Sequence, residues 1–314
     1  MLAYILRRVL LAIPVMFVVA AGVFLLLYLT PGDPVSVILG PDATPQQVTE
    51  LRQRLGLDQP VPMQVGRWFS RLLQGDLGQS IYLNRPVTQT LLERAEPTLM
   101  LTLLATLFAI LVGLPIGIIS ATRAGGWADL GAMLVALGGI SMPSFWVGLN
   151  LIFVFAVTLG ALPVAGYQPL SKGLWENLRY LILPAVTLGF AQAALLARMS
   201  RSLMLDVLRE DYVRTARSKG VGERTVVLYH ALRNVMVPLV TVMGLTFAIL
   251  MGGAVITEQV FNIPGIGRLL VQSVLRRDYP VVQGIVLVIA FNYVVINLCV
   301  DILYGLFDPR VRHS

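Results

Sequence analysis

The sequence is short of the residues on which most protein chemistry depends. It has one cysteine, Cys299, and two histidines, His230 and His313. A single cysteine permits no internal disulfide. Cys299 lies inside an apolar run, where a thiol serves as a small lipid- or core-facing residue. No histidine pair has metal-ligand spacing, so no metal site is expected. No G-x-S-x-G elbow is present. No G-x-x-x-x-G-K-S/T loop is present either, so the usual phosphate cradle for ATP is missing; Gly220-Val221-Gly222 lacks the following lysine and the flanking strand. Only Asp301 lies within an apolar span, near its end, and one carboxylate cannot form an aspartyl dyad. No catalytic residue is assigned. Charge is also scarce, at 13% of 314 residues, where soluble domains carry about 25%. That excludes a water-soluble enzyme, and a chain that is 56% hydrophobic cannot be disordered.

What is present is grease, with a mean hydropathy of +0.77. A bilayer core needs about 20 apolar helical residues to cross it. Six stretches qualify: Val9 to Leu29, Leu99 to Ile119, Gly131 to about Val157 with an interruption at Pro143, Tyr180 to Ala197, Val235 to Ile256, and Val281 to Tyr304. The first exceeds a signal peptide's core of about 7–15 residues and lacks a clear cleavage site, so it reads as a permanent anchor. The fold class is therefore an all-α membrane protein with six transmembrane helices.

Lys and Arg exceed Asp and Glu by 24 to 17, a net charge of +7. In such a chain the excess reads as cytoplasmic loops facing anionic lipid rather than as nucleic-acid binding. Arg7 and Arg8 place the N-terminus in the cytoplasm. An even number of spans returns the C-terminus there, with Arg310 and Arg312, and Arg123 marks a cytoplasmic turn. The segment from Asp206 to Arg233 also faces inward, with Arg209, Arg214, Arg217, Lys219, Arg224 and Arg233. Arg268, Arg276 and Arg277 fall outside, against the rule.

Two polar segments are large enough to matter. Thr30 to Pro97, after the first span, is rich in turn signals. Thr44 to Leu55 predicts a helix with Thr44 as N-cap and Pro45 at the first helical position. Gln64 to Leu73 predicts a second, and Trp68, Phe69, Leu72 and Leu73 need burial. The loop from Asp206 to Arg233 predicts two helical pieces, Asp206 to Lys219 and Glu223 to Leu232, separated by Gly220-Val221-Gly222. Gly220 fits a left-handed helix cap. Apolar residues at three- and four-residue spacing give each piece a face to bury, against lipid or against another protein.

Polar residues inside spans are costly unless bonded. Asn150, Gln192, Asn292 and Asn297 either line an aqueous path or bond a neighbouring helix. The spans also hold Pro14, Gly113, Pro115, Pro143, Pro184, Gly189, Gly244, Gly252 and Gly253. Small residues let helices approach and prolines kink them, which suits a bundle that moves.

At the basic loop the sequence becomes specific. Asp211-Tyr212-Val213-Arg214-Thr215-Ala216-Arg217-Ser218-Lys219-Gly220 resembles the signature of permease subunits of bacterial ABC importers. Arg214-Thr215-Ala216 stands in the Glu-Ala-Ala place of that pattern and Gly220 at its glycine. The closing element falls on His230-Ala231-Leu232-Arg233. Ala216, Gly220 and Leu232 match; Arg214, Thr215, His230 and Arg233 depart, in the manner of the peptide/nickel branch. Leu29-Thr30-Pro31-Gly32-Asp33-Pro34, Leu55-Gly56-Leu57-Asp58-Gln59-Pro60, Gly75-Asp76-Leu77-Gly78 and Ser80 resemble the first, "B"-type permease and its outer insertion. Glu258 to Gly267, Arg277-Asp278-Tyr279-Pro280 and Asp301-Ile302-Leu303-Tyr304 with Asp308-Pro309-Arg310 agree.

The resemblance implies a type I ABC importer transmembrane fold in the bacterial inner membrane. It implies an anchor and outer insertion over 1–97, a core over 98–306, a coupling loop over 206–233 and a tail over 307–314. It implies a homologous second permease, two ABC ATPase subunits that bind ATP and magnesium, and an external solute-binding protein; no cofactor is expected in this chain. Coupling to the ATPases would fall to Tyr212, Arg214, Thr215, Ala216, Lys219, Gly220 and Leu232. The path for cargo would fall to Asn150, Gln192, Glu258 and Asn292. The cargo would be dipeptides, oligopeptides or glutathione, with nickel as the alternative. A passive channel or scaffold without ATPases explains the spans equally well but has no need of a glycine-broken docking loop.

Overall fold

The structure, a computed structural model, describes residues 2–29, 35, 39–40 and 43–307. The motif from Thr30 to Pro34, Asp308-Pro309-Arg310, Arg312 and His313 lie outside the described residues. Among the described residues no strand forms; one isolated bridge, Gln79 to Pro86, closes a turn. The helices are α1 (Leu2–Leu29), α2 (Pro45–Leu55), α3 (Val61–Leu73), α4 (Val87–Thr122), α5 (Trp127–Ser141), α6 (Ser144–Thr158), α7 (Leu174–Leu208), α8 (Asp211–Ser218), α9 (Glu223–Val260), α10 (Ile266–Leu275) and α11 (Tyr279–Phe307).

The anchor α1 packs along α11. Arg8 and Asp301 pair at 2.6 Å, so the start of α1 and the far end of α11 share one end of the bundle. Thr44 and Gln47 form the capping box that starts α2: the Gln47 N–H donates to the Thr44 hydroxyl and the Thr44 N–H to the Gln47 side chain. This reciprocal bonding satisfies two orphan donors. On α3, Phe69 stacks on Phe17 at 4.9 Å and Trp68 lies 5.6 Å from Phe24. Leu72 is half-buried, but Leu73 is 88% exposed, against expectation. Leu73 is rotated about 100° around the helix from Leu72, off the face that meets α1.

Helices α4 and α7 have 36 and 35 residues, about 54 Å each, where the hydrocarbon layer is about 30 Å thick. The stretches from Leu99 to Ile119 and from Tyr180 to Ala197 are only their greasiest parts. Hydropathy marks what lipid tolerates, whereas a helix runs on until its hydrogen bonding is broken. The extra turns have neighbours. Val87 and Leu91 pack with Ile266, Leu269, Val281 and Ile285, and Met204 packs with Val227, Ala231 and Val235.

The third span differs from a simple crossing. Helices α5 and α6 meet at a 104° bend. Met142, before Pro143, is extended at φ −83°, ψ 130°, the conformation that proline imposes on its predecessor. The last turn of α6, Ile152–Thr158, is π-helical.

The centre of the bundle is the α4–α7 pair, held by glycines at backbone contact. A Cβ on Gly113 would lie 2.5 Å from the Ala193 carbonyl oxygen, one on Gly117 2.5 Å from that of Ala197, and one on Gly189 2.5 Å from that of Ala105. Gly113 and Gly117 are one turn apart, as are Gly189, Ala193 and Ala197, so the two helices share a seam of small residues. At the end near Arg8, Asp129 on α5 is 4% exposed. It accepts from Arg201 of α7 at 2.5 and 2.7 Å, from the Ser120 hydroxyl of α4 and from the Gly125 N–H at 2.9 Å.

The opposite end is pinned by two carboxylates. Glu258 of α9 is fully buried. It accepts from the Thr98 hydroxyl of α4 at 2.6 Å and from the Arg268 N–H at the start of α10 at 2.8 Å. Asp278 takes the Ser80 hydroxyl and the N–H groups of Ile81 and Tyr82, docking the outer insertion. Two of the arginines that oppose the charge rule have partners here. Arg276 lies 3.8 Å over the Tyr82 ring and Arg277 donates to the Tyr279 hydroxyl.

Candidate functional site

The basic loop folds as a short foot between two spanning helices. The α7 hydrogen bonding ends with Arg209 and Glu210 donating to Asp206 and Val207. Glu210 is extended, and α8 starts with Asp211 in its first turn, where a negative charge suits the helix dipole. The expected piece from Asp206 to Lys219 is therefore split at Arg209-Glu210, and its first residues belong to α7. Gly220 has φ +78°. The Val221 N–H bonds the Ala216 carbonyl and the Gly220 N–H bonds that of Arg217, the paired bonds of a Schellman cap. Space around Gly220 is open, so backbone conformation, not crowding, favours glycine here.

The second expected piece, Glu223 to Leu232, is no separate helix. It runs without a break into the fifth span through a π-helical turn, Val226–Ala231. The arginines that mark this stretch as a loop lower its hydropathy but break no backbone hydrogen bond.

Val213 and Ala216 are buried against Val226, with Val207, Leu208 and Val221 packed around them. These contacts bind α8 to the end of α7 and the start of α9. Arg217 donates to Glu223 at 2.6 and 3.1 Å across the glycine turn, and this hydrogen bonding raises the Arg217 pKa beyond its ordinary value. Tyr212 and Asn234 join side chains at 2.6 Å.

The residues singled out for coupling therefore divide. Ala216 faces inward. Leu232 packs beneath the loop with Met204, Val227 and Val235. Tyr212 turns towards α9. Arg214, Thr215 and Lys219 are exposed. Asp211, Arg214, Thr215 and Ser218 recur at the spacing of one helix face, and all four are exposed. With Lys219 at the end of the same helix, that face is polar and carries more basic than acidic groups.

The path candidates do not form one cluster of side-chain bonds. Asn150 and Asn292 each donate to a carbonyl four residues back, at Trp146 and Val288, and Asn297 does the same at Tyr293. They are satisfied within their own helices rather than across to a neighbour. Gln192 on α7 has a buried side-chain oxygen with no partner among the described residues. Glu258 is removed from the candidates for cargo contact, because its carboxylate is sealed inside the joint of α4, α9 and α10. The Asp129–Arg201 cluster is missed by a reading along the chain: its two charged members are 72 residues apart.

Comparison with known proteins agrees with this architecture. Residues 113–313 match the family model described as binding-protein-dependent transport system inner membrane component, and residues 1–102 match the model of its N-terminal part. A peptide transport system permease protein of Brucella abortus is 50% identical over 314 residues, covering all of both chains. A glutathione transport system permease protein of Salmonella typhimurium is 47% identical over 314 residues, again covering all of both. Among solved structures, the MetNI methionine ABC transporter in an inward-facing conformation matches with a TM-score of 0.58 and 18% identity, covering 70% of this chain and 97% of that one.

Proposed function

Because this chain belongs to the family of binding-protein-dependent transport system inner membrane components and is a multi-pass permease subunit of an ABC importer, we propose that α8 is the docking foot through which ATPase subunits drive it. The observation that carries this is the exposed face of Asp211, Arg214, Thr215 and Ser218 on a helix whose other face is locked to α7 and α9. A rigid foot passes on motion that a flexible loop absorbs. Two ATPases and a second, homologous permease complete the assembly, and an external binding protein delivers cargo. The α4–α7 pair, in backbone contact, moves as one body in alternating access. Peptides or glutathione are the cargo class, on the strength of the relatives' names and their identity along the whole chain.

The assembly is tested by tagging this chain and purifying it from membranes. ATP-hydrolysing subunits are expected in the eluate, and their absence would leave a passive channel as the better reading. Gly220→Val tests the foot. Forcing a β-branched residue into the left-handed region costs about 1–2 kcal/mol, so retention of ATPase and cargo-stimulated hydrolysis are expected to fall roughly tenfold. Hydrolysis at the wild-type level would remove α8 from the coupling.

A further inference from the structure

We infer that Tyr212 is a positioning residue that ties α8 to the foot of α9, so that displacement of α8 reaches α9 as well as α7. The inference rests on the docking role proposed for α8. Chain connectivity alone would favour α7: Arg209 and Glu210 join it to α8, whereas the link to α9 contains Gly220 and Gly222. The contacts around that link hold only the first turns of α9. Val213 and Ala216 meet Val226, and Arg217 meets Glu223. The π-helical turn Val226–Ala231 starts at that contact, with Leu232 N–H bonded to the Val227 carbonyl. Such a wide turn is a place where a helix yields.

Tyr212 reaches beyond this weak point. Its hydroxyl accepts from the Asn234 side chain at 2.6 Å and donates to the His230 carbonyl at 3.3 Å, and the Asn234 amide also donates to that carbonyl at 3.1 Å. Among the described residues, Tyr212 is the α8 side chain whose hydrogen bonds span the π-helical turn. Its ring is 41% exposed, so the hydroxyl rather than burial of the ring accounts for its placement. Phenylalanine would keep the packing and lose the clip.

The test uses the full complex with its ATPases in lipid nanodiscs, with Cys299→Ser, and spin labels at Leu103→Cys and Ile256→Cys. Both label sites are exposed and remote from α8 in sequence. Distances are measured with and without ATP–vanadate, and the bound nucleotide is counted. Trapping is expected to shift the distance in the native chain. In Tyr212→Phe and Asn234→Ala the ratio of shifted to unshifted complex, per trapped nucleotide, is expected to fall about fivefold, the factor set by one neutral hydrogen bond. The double variant should fall no further, since both residues make the same link. A native-level ratio in both single variants, or a double effect equal to their product, would overturn the inference. A native complex that traps no nucleotide would instead refute the ATPase-driven reading beneath it, and the role of the clip with it.

Discussion

Gly117→Val is expected to abolish recovery of the folded chain. A Cβ at this position would lie 2.5 Å from the Ala197 carbonyl oxygen and 2.6 Å from the Ser200 Cβ. Neither is the free end of a flexible side chain, so relief requires α4 and α7 to separate along a seam that Gly113 and Gly189 also hold closed. Overpacking of a tight core costs about 1–3 kcal/mol, and a branched side chain against backbone belongs at or beyond the top of that range. Gly117→Ala should be milder but still harmful. Gly131→Ala is the control: nothing lies within 4 Å of its would-be Cβ, and alanine in a helix is favoured over glycine by about 1 kcal/mol. The measurement is the yield of monodisperse protein in detergent and its thermal unfolding. A melting temperature for Gly117→Val equal to that of the native chain would show that α4 and α7 are not in backbone contact.

Asp129→Ala has the second largest expected effect, through a different mechanism. It removes the acceptor of four hydrogen bonds from three residues and leaves the Arg201 guanidinium beside buried surface without its counter-charge. Breaking a buried pair by deleting one partner costs about 3–5 kcal/mol, whereas replacing both by apolar groups is often nearly neutral. The Arg201 side chain is 28% exposed, so solvent recovers part of that loss and about 2–3 kcal/mol is expected. Asp129→Ala/Arg201→Met should therefore be more stable than Asp129→Ala alone. Chemical denaturation or thermal unfolding of the three chains decides it. If the double variant is the less stable, the cluster does not act as an ion pair, and its ordering of the α4–α5 turn on α7 must come from packing alone.

The two cases show why parts of the molecule are legible along the chain and others are not. Thr44, Pro45 and Gln47 sit within four residues, and their capping geometry is a local property of the backbone. The left-handed cap at Gly220 is of the same kind. The long apolar stretches are equally plain, because cost in hydrocarbon sums residue by residue. By contrast, Gly113, Gly117 and Gly189 carry the same letter as Gly220 for another reason, which depends on the helix that faces them. Nor does sequence periodicity say whether α8 offers its Val213 and Ala216 face or its Arg214 and Thr215 face to a partner, since each is a consistent stripe. Glu258 stands in an apolar run and reads as a functional charge until Thr98, 160 residues away, is found bonded to it.

Composition and pattern by themselves determined that this chain lives in a membrane, where its greasy segments run, and that a left-handed turn breaks its basic loop. Those properties depend on side-chain transfer energies and on backbone preferences spanning a few residues. The tertiary structure alone decided that α4 and α7 are locked by glycines, that the third span turns through 104°, that Glu258 is a joint, and which side of α8 is exposed. Each of these depends on what approaches from a distant part of the chain, and close approach of two surfaces is a property of neither surface alone.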